Sequence, residues 1–283
     1  MINRRVIKVT ERVIYYGLLF LGMIFVLFPI VWMISTAFKD KGAMFAYPPQ
    51  WIPENPTLES FKIVLSPSKN PFLLWFRNSI LVGLGTAFAS LLLAIPAGYA
   101  FSRFRFRARN VILLFIIASQ MFPIVLLLIS IYLLYRDWGF INTLHGLMLA
   151  YMCFALPFAI WMLKNYFDTI PRELEEAALI DGCGRFGAML RVALPLIGPA
   201  AVSVGTFCFL VAWNELLFAM TLNTSDATRP LAPGLVIRYA GSYQSIYNEM
   251  MAASVLASIP VIIIFVTLQK YVVSGLTLGA VKG

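Results

Sequence analysis

The sequence predicts an all-α membrane protein with six transmembrane helices, on three observations. Hydrophobic residues make up 60% of the chain and charged residues 12%, with a mean hydropathy of +0.83, whereas soluble domains are about half apolar and a quarter charged. The apolar residues gather into six runs, roughly 13–38, 72–101, 111–135, 144–163, 192–217 and 251–272. Each reaches or passes the ~20 residues that cross about 30 Å of hydrocarbon at 1.5 Å per residue. Lys and Arg concentrate in alternate gaps between the runs, as expected when the same side of a membrane is visited repeatedly.

The first run follows Arg4, Arg5 and Lys8 and ends near Ser35 and Ala37, the outline of a signal peptide. It is longer than the roughly 7–15 apolar residues of a signal core, so it reads as a retained first helix, 13–38, behind a cytoplasmic segment 1–12. With the N-terminus inside, Arg4, Arg5, Lys8, Arg12, Arg103, Arg105, Arg107, Arg109, Lys164, Arg172, Arg185, Arg191, Lys270 and Lys282 share the cytoplasmic side. That is most of the 22 Lys and Arg, and it predicts both termini inside. Segment 39–71 is then an extracytoplasmic loop, and Pro48, Pro49 and Pro53 make it irregular rather than helical. Segment 223–248 is a second outer loop carrying an Asn223-Thr-Ser sequon. The run from Arg103 to Arg109, with Phe104 and Phe106 interleaved, has the look of a nucleic-acid or anionic-lipid patch, but reads first as a positive-inside anchor.

Small residues recur four apart in the second run, at Gly83 and Ala87, Gly85 and Ala89, and Ala94 and Gly98, a spacing that brings helix backbones close in lipid. Pro96, Pro123, Pro157, Pro195, Pro199 and Pro260 lie within or beside spans, where each frees a carbonyl and permits a kink.

Several function classes are disfavoured by the same residues. The net charge of +9 is scattered between apolar runs instead of forming a basic face, which argues against nucleic acid. Cys153, Cys183 and Cys208 contain no Cys-x-x-Cys pair, so no metal site or disulfide framework is expected. There is one histidine, His145, and no phosphate-binding Gly-rich loop, so no catalytic residue or cofactor is assigned. An ion-coupled transporter acting alone would need titratable groups at the membrane midplane, and apart from Glu215 the runs offer almost none. A membrane-embedded hydrolase would need a His, Asp and Glu cluster that one histidine does not supply.

The most informative segment is the cytoplasmic loop at 168–195. Pro171 suits the first turn of a helix, and Glu173, Glu175 and Glu176 set negative charge near its positive end. Gly182 and Gly184 then stop a helix of roughly eleven residues, on the order of 16 Å long. Leu174, Ala177, Ala178 and Asp181 fall on one narrow face, suited to a partner's groove or to covering the protein's own loops. Glu175 is read as ordinary compensation of the helix dipole.

The pattern Glu176-Ala177-Ala178, three residues, Gly182, nine residues, Val192, one residue, Leu194-Pro195 resembles the EAA loop of ABC importer permeases. Ile is usual where Val192 stands. From Asn78-Ser79 through Asp181-Gly182 and Trp213-Asn-Glu215 to the ending at Lys282 and Gly283, the chain resembles the G-type permease subunit of maltose-type carbohydrate importers. The resemblance implies a type I importer permease fold over 72–272, in a bacterial inner membrane. It implies as partners a second, F-type permease subunit, two ATPase subunits that bind the ATP, an extracytoplasmic sugar-binding protein, and lipid. Glu176, Ala177, Ala178, Asp181, Gly182, Leu194 and Pro195 become ATPase-coupling residues, with Glu176 and Asp181 facing basic groups on the partner.

The tail 273–283 is implied to reach the ATPase subunits through Gly279, Ala280, Val281, Lys282 and Gly283. Its apolar character suits a crevice better than free solvent. The cargo is implied to be a sugar or oligosaccharide, with glycerol phosphate or another small solute as the alternative. Asn78, Gln120, Trp213, Asn214 and Glu215 are candidates for the substrate pathway. Glu215, at membrane depth, reads either as a sugar contact or gate, or as the outer end of the fifth span. Tyr99, Phe101 and Tyr151 offer stacking faces, against the simpler reading of aromatic belts at the lipid interface.

Overall fold

The structure, a computed structural model, describes residues 4–44, 46–240 and 243–280, without the side chains at 4–10, 243–245 and 271–280. The chain divides into two compact units, one of residues 1–71 and 238–258, the other of 72–237 and 259–283.

In the first unit, helix α1 (Arg4–Ala37) runs through Pro29 without a break. Its apolar side chains point outward from Val13 to Val31, with Phe25 82% exposed, a surface that needs lipid or protein around it. The following loop is irregular, as expected, except for α2 (Glu59–Val64). It is nonetheless ordered by polar contacts. The Ser35 hydroxyl donates to the Trp51 carbonyl (2.6 Å), Thr57 N–H to Phe38 O (2.8 Å), and Asn70 Nδ2 to the Tyr239 hydroxyl (3.0 Å). Trp51 packs edge-on against Phe28 and Trp32. Lys39 is buried with its ammonium 4.0 Å from the Trp32 ring, and burial lowers its pKa below the usual lysine range.

The second unit is built on α3 (Phe72–Arg103). The predicted third span arrives as two helices, α4 (Arg109–Ala118) and α5 (Leu128–Trp138), joined by short 3₁₀ turns and bent by 89°. Pro123 sits in the bend, where it has no N–H to continue the ladder. Next come α6 (Leu144–Thr169), α7 (Arg172–Ile180) and α8 (Arg185–Ala188), then a π-helical turn at Met189–Ala193 leading into α9 (Leu194–Leu196). The fifth span is broken too, because α10 (Gly198–Asn214) starts after an 80° bend with Pro199 in its first turn. α10 ends at Asn214, so the run read as continuous to 217 opens early and restarts as α11 (Leu217–Leu222). Segment 223–248 contains α12 (Leu231–Tyr239), and α13 (Tyr243–Ala280) bends at Ile246. Among the described residues, four helices are long and apolar enough to cross a membrane, and counting each bent pair as one span makes six.

α3, α6 and α10 form the centre of this unit, and the small residues of α3 explain how. A Cβ at Gly83 would lie 2.7 Å from the Phe209 ring of α10, and one at Gly98 would lie 3.0 Å from the backbone nitrogen of Lys164 in α6. Phe209 can rotate, but the α6 backbone cannot. We expect Gly98→Leu to force α3 and α6 apart at a cost of about 1–3 kcal/mol, read as a lower thermal midpoint of the purified protein. An unchanged midpoint would contradict this packing. Around Tyr151, which is fully buried, Val82, Leu147, Ala212, Phe218 and Leu222 complete an apolar cluster. Tyr99 and Phe101 are buried as well, so these three aromatics belong to the interior and not to a lipid-facing belt.

Candidate functional site

α7 has nine residues, two fewer than the expected eleven or so, because its end is fixed by a specific motif. Asp181 is the C-cap and Gly182 is left-handed, with φ +88°. The Cys183 N–H reaches back to Ala178 O (3.0 Å) and the Gly182 N–H to Leu179 O (3.1 Å), the paired bonds of a Schellman cap. Gly184 takes no part in this stop; its backbone is extended and it caps the start of α8.

The face predicted from spacing is turned out of the protein. Leu174, Glu176, Ala177 and Asp181 are exposed and Ala178 is half-buried. Ile180 (86%) and Phe186 (68%) extend this surface with bare apolar side chains that the spacing argument had not included. Leu194 is half-buried and Pro195 exposed in α9.

The opposite side of α7 carries Glu175, which does not play the exposed dipole-compensating role expected of it. Glu175 is buried, and instead of compensating a dipole its carboxylate accepts from Arg103 Nε (2.7 Å) and from the Tyr99 hydroxyl (2.6 Å). Both donors lie on one face of α3, four residues apart. Arg103 is therefore no simple flanking charge, its side chain being only 7% exposed. It also donates to Ile170 O (3.0 Å) and to the Ser102 hydroxyl (3.0 Å), which in turn donates to Asp168 (2.6 Å). Lys164 closes on the other Asp168 oxygen at 2.7 Å, and Arg172 donates to Ser102 O (3.3 Å). The ends of α3 and α6 thus grip the root of α7 through a connected polar network, while its outer face stays free.

The pathway candidates are not gathered into one site. Asn78 is fully buried and its amide donates to Ala227 O and Arg229 O, both at 3.0 Å, while Arg229 itself pairs with Asp226. Trp213 is buried, stacked on Phe209 and edge-on to Phe76. Glu215 accepts from the Tyr151 hydroxyl (2.8 Å) and from the N–H groups of Phe218 (3.0 Å) and Ala219 (3.1 Å). Its charge therefore sits on the N-terminal turn of α11, a favourable place for a carboxylate. Asn214 is exposed and donates to Leu210 O within α10. Gln120 donates to Phe154 O (3.0 Å) and lines a cavity of ≈ 450 Å³ at the break between α4 and α5. A separate apolar cleft of ≈ 350 Å³ lies between α6, α10 and α13 and carries the hydroxyls of Tyr166, Ser203 and Thr206. In the tail, Gly279 and Ala280 close α13 in backbone only, and Val281, Lys282 and Gly283 lie outside the described residues.

Broken and kinked spans around a close-packed bundle, with a short exposed helix rooted at its end, define a multi-pass helical membrane protein. Residues 90–278 match the family of the binding-protein-dependent transport system inner membrane component, and the chain belongs to that family, as a permease component of ABC importers. It is 38% identical over 269 residues to the diacetylchitobiose uptake system permease protein DasC of Streptomyces coelicolor, covering 94% of each chain. It is 34% identical to the trehalose/maltose transport system permease protein MalG of Thermococcus litoralis, covering 96% of this chain and 99% of that one. Its fold matches a chain in the crystal structure of a bacterial ABC transporter involved in the import of the acidic polysaccharide alginate. That match has a TM-score of 0.80 at 25% identity and covers 96% of this chain and 99% of the other.

Proposed function

We propose that this chain forms half of the translocation pathway of a sugar or oligosaccharide importer, and that α7 receives the motion of a separate ATPase subunit. The observation that carries this reading is the two-sidedness of α7. Its outer face is exposed and partly apolar, and its inner face is held by the buried Glu175–Arg103 pair. A helix so mounted moves with α3 and α6 as one body, which is what a transmitted push requires. Diacetylchitobiose, trehalose, maltose and alginate in the names of similar proteins support a carbohydrate cargo.

In this reading both termini and α7 face the cytoplasm, and 39–71 faces outward to an extracytoplasmic binding protein. A second permease subunit completes the pathway, and two ATPase subunits bind and hydrolyse the ATP. Glu176, Ala177, Ala178, Asp181 and Gly182 meet the ATPase directly, with Leu194 and Pro195 supporting the loop behind them. The tail from Gly279 to Gly283 approaches the same subunits. Gln120 and Asn214 are the pathway candidates with exposed polar groups; Asn78, Trp213 and Glu215 serve as framework.

Reconstitution of the purified complex tests this. ATP hydrolysis should copurify with a separate subunit and rise when sugar-loaded binding protein is added, and removing residues 278–283 should weaken that stimulation. Hydrolysis by this chain alone, or stimulation unaffected by sugar, would overturn the proposal.

A further inference from the structure

Between α3 and α4 the chain makes a short turn that lies outside the 168–195 loop. It forms an open pocket of ≈ 290 Å³ lined by Arg105, Phe106, Arg107, Arg109, Asn110 and Val111. Three arginines and one asparagine line it, and no carboxylate is among the lining residues. Arg103, nearby in sequence, is occupied by Glu175, but none of Arg105, Arg107 and Arg109 belongs to an ion pair among the described residues.

Two further observations point to a missing anion. Arg109 Nε has no hydrogen-bond acceptor within the protein, so this guanidinium is not committed to a neighbouring oxygen. Arg109 also opens α4; its own N–H is held by Phe106 O (3.1 Å), but the helix start has neither a side-chain cap nor an acidic residue in its first turn to offset its positive end. A general positive-inside anchor needs only charge near the membrane. It does not need a concave site lined by three arginines and no carboxylate.

The surroundings select the kind of anion. α4 buries none of its residues, and Val111, Leu114 and Phe115 are exposed directly beyond the pocket. Phe104 and Phe106 are exposed beside it, and aromatic rings are the side chains that favour the headgroup border. An anion bound here would have its polar group among the arginines and apolar chains along α4. We propose that this pocket binds the phosphodiester of one anionic phospholipid, held by the Arg109 fork with Arg105 and Arg107 as supporting charges.

Native mass spectrometry of the full chain in detergent, titrated with phosphatidylglycerol or phosphatidylcholine, tests the proposal. One phosphatidylglycerol should be retained in preference to phosphatidylcholine. Arg109→Lys keeps the charge but removes Nε and the planar fork, and it should weaken retention about tenfold, the loss of one charged hydrogen-bond pair. Arg12→Lys, a charge-conserving control in α1, should leave retention unchanged. If Arg109→Lys does not reach the membrane, Arg107→Lys is read in its place and should weaken retention in the same direction. Equal retention of the two lipids, or wild-type retention in the Arg109→Lys protein, would overturn the site. Displacement of the lipid by millimolar inorganic phosphate would assign the pocket to a free anion, and tighter binding of a short RNA than of lipid would assign it to nucleic acid; either contradicts the proposal.

Discussion

Replacing Arg103 with Met should destabilise the protein by about 3–5 kcal/mol, the usual result of stranding one charge of a buried pair. Glu175, only 5% exposed, would keep the Tyr99 hydroxyl as its one strong donor, and Ile170 O would lose its guanidinium partner. The damage is local to the root of α7, so proteolysis within 168–184 should accelerate along with the fall in thermal midpoint. Uptake should fall further than stability alone explains, because a loosely rooted helix yields under load instead of moving the bundle. Arg103→Lys retains charge but not the geometry that serves Glu175, Ser102 and Ile170 together, and should fall between. The double change Arg103→Met with Glu175→Leu removes both charges and should recover most of the stability without recovering transport. A single Arg103→Met protein with wild-type midpoint and uptake would remove the network from the mechanism.

Gly182→Leu should abolish uptake while leaving the protein in the membrane. Nothing lies within 4 Å of a Cβ built at this position, so crowding inside the chain is not the difficulty. The difficulty is φ +88°, which costs a branched side chain roughly 1–2 kcal/mol and favours unwinding of the Schellman cap. Once that cap opens, Asp181 and the end of α7 are re-aimed at no great cost to the rest of the fold. Asn tolerates the left-handed region, so Gly182→Asn should retain a measurable fraction of uptake where Gly182→Leu has none. If Asn is as damaging as Leu, the need for glycine lies in the partner's cleft and not in the backbone. Wild-type uptake by the Leu variant contradicts the role of α7 altogether.

Hydropathy was sufficient to find the apolar runs, because in lipid every span must hide its own backbone and therefore announces itself by length. The Pro-Arg-Glu start and the Gly182 stop made α7 visible for a similar reason: caps are local chemistry. What stayed hidden depended on tertiary phase. Glu173, Glu175 and Glu176 are alike in sequence, and only the seating of α7 on α3 decides that Glu175 turns inward while Glu176 faces out. The partners were on view as Tyr99 and Arg103, one turn apart at the end of a span, yet nothing local distinguishes Arg103 from the arginines that follow it. The breaks at Pro123 and before Pro199 show the same limit. A proline permits a kink or a full break, and neighbouring helices choose between them. Glu215 was legible as unusual, but its work as a cap for α11 required knowing that the fifth span opens at Asn214.

A photoreactive benzoylphenylalanine in place of Ile180 tests whether α7 is the seat of a separate ATPase subunit. Ile180 is 86% exposed at the outer end of α7, so the probe should not disturb the fold. Ile52, 84% exposed in the segment assigned to the opposite side of the membrane, is the control. In the assembled, transporting complex, the probe at 180 should form an adduct with the ATPase subunit, in a yield that changes when ATP is added, and the probe at 52 should form none. An ATPase adduct from position 52, or none from position 180, would mean that α7 does not seat the ATPase subunit.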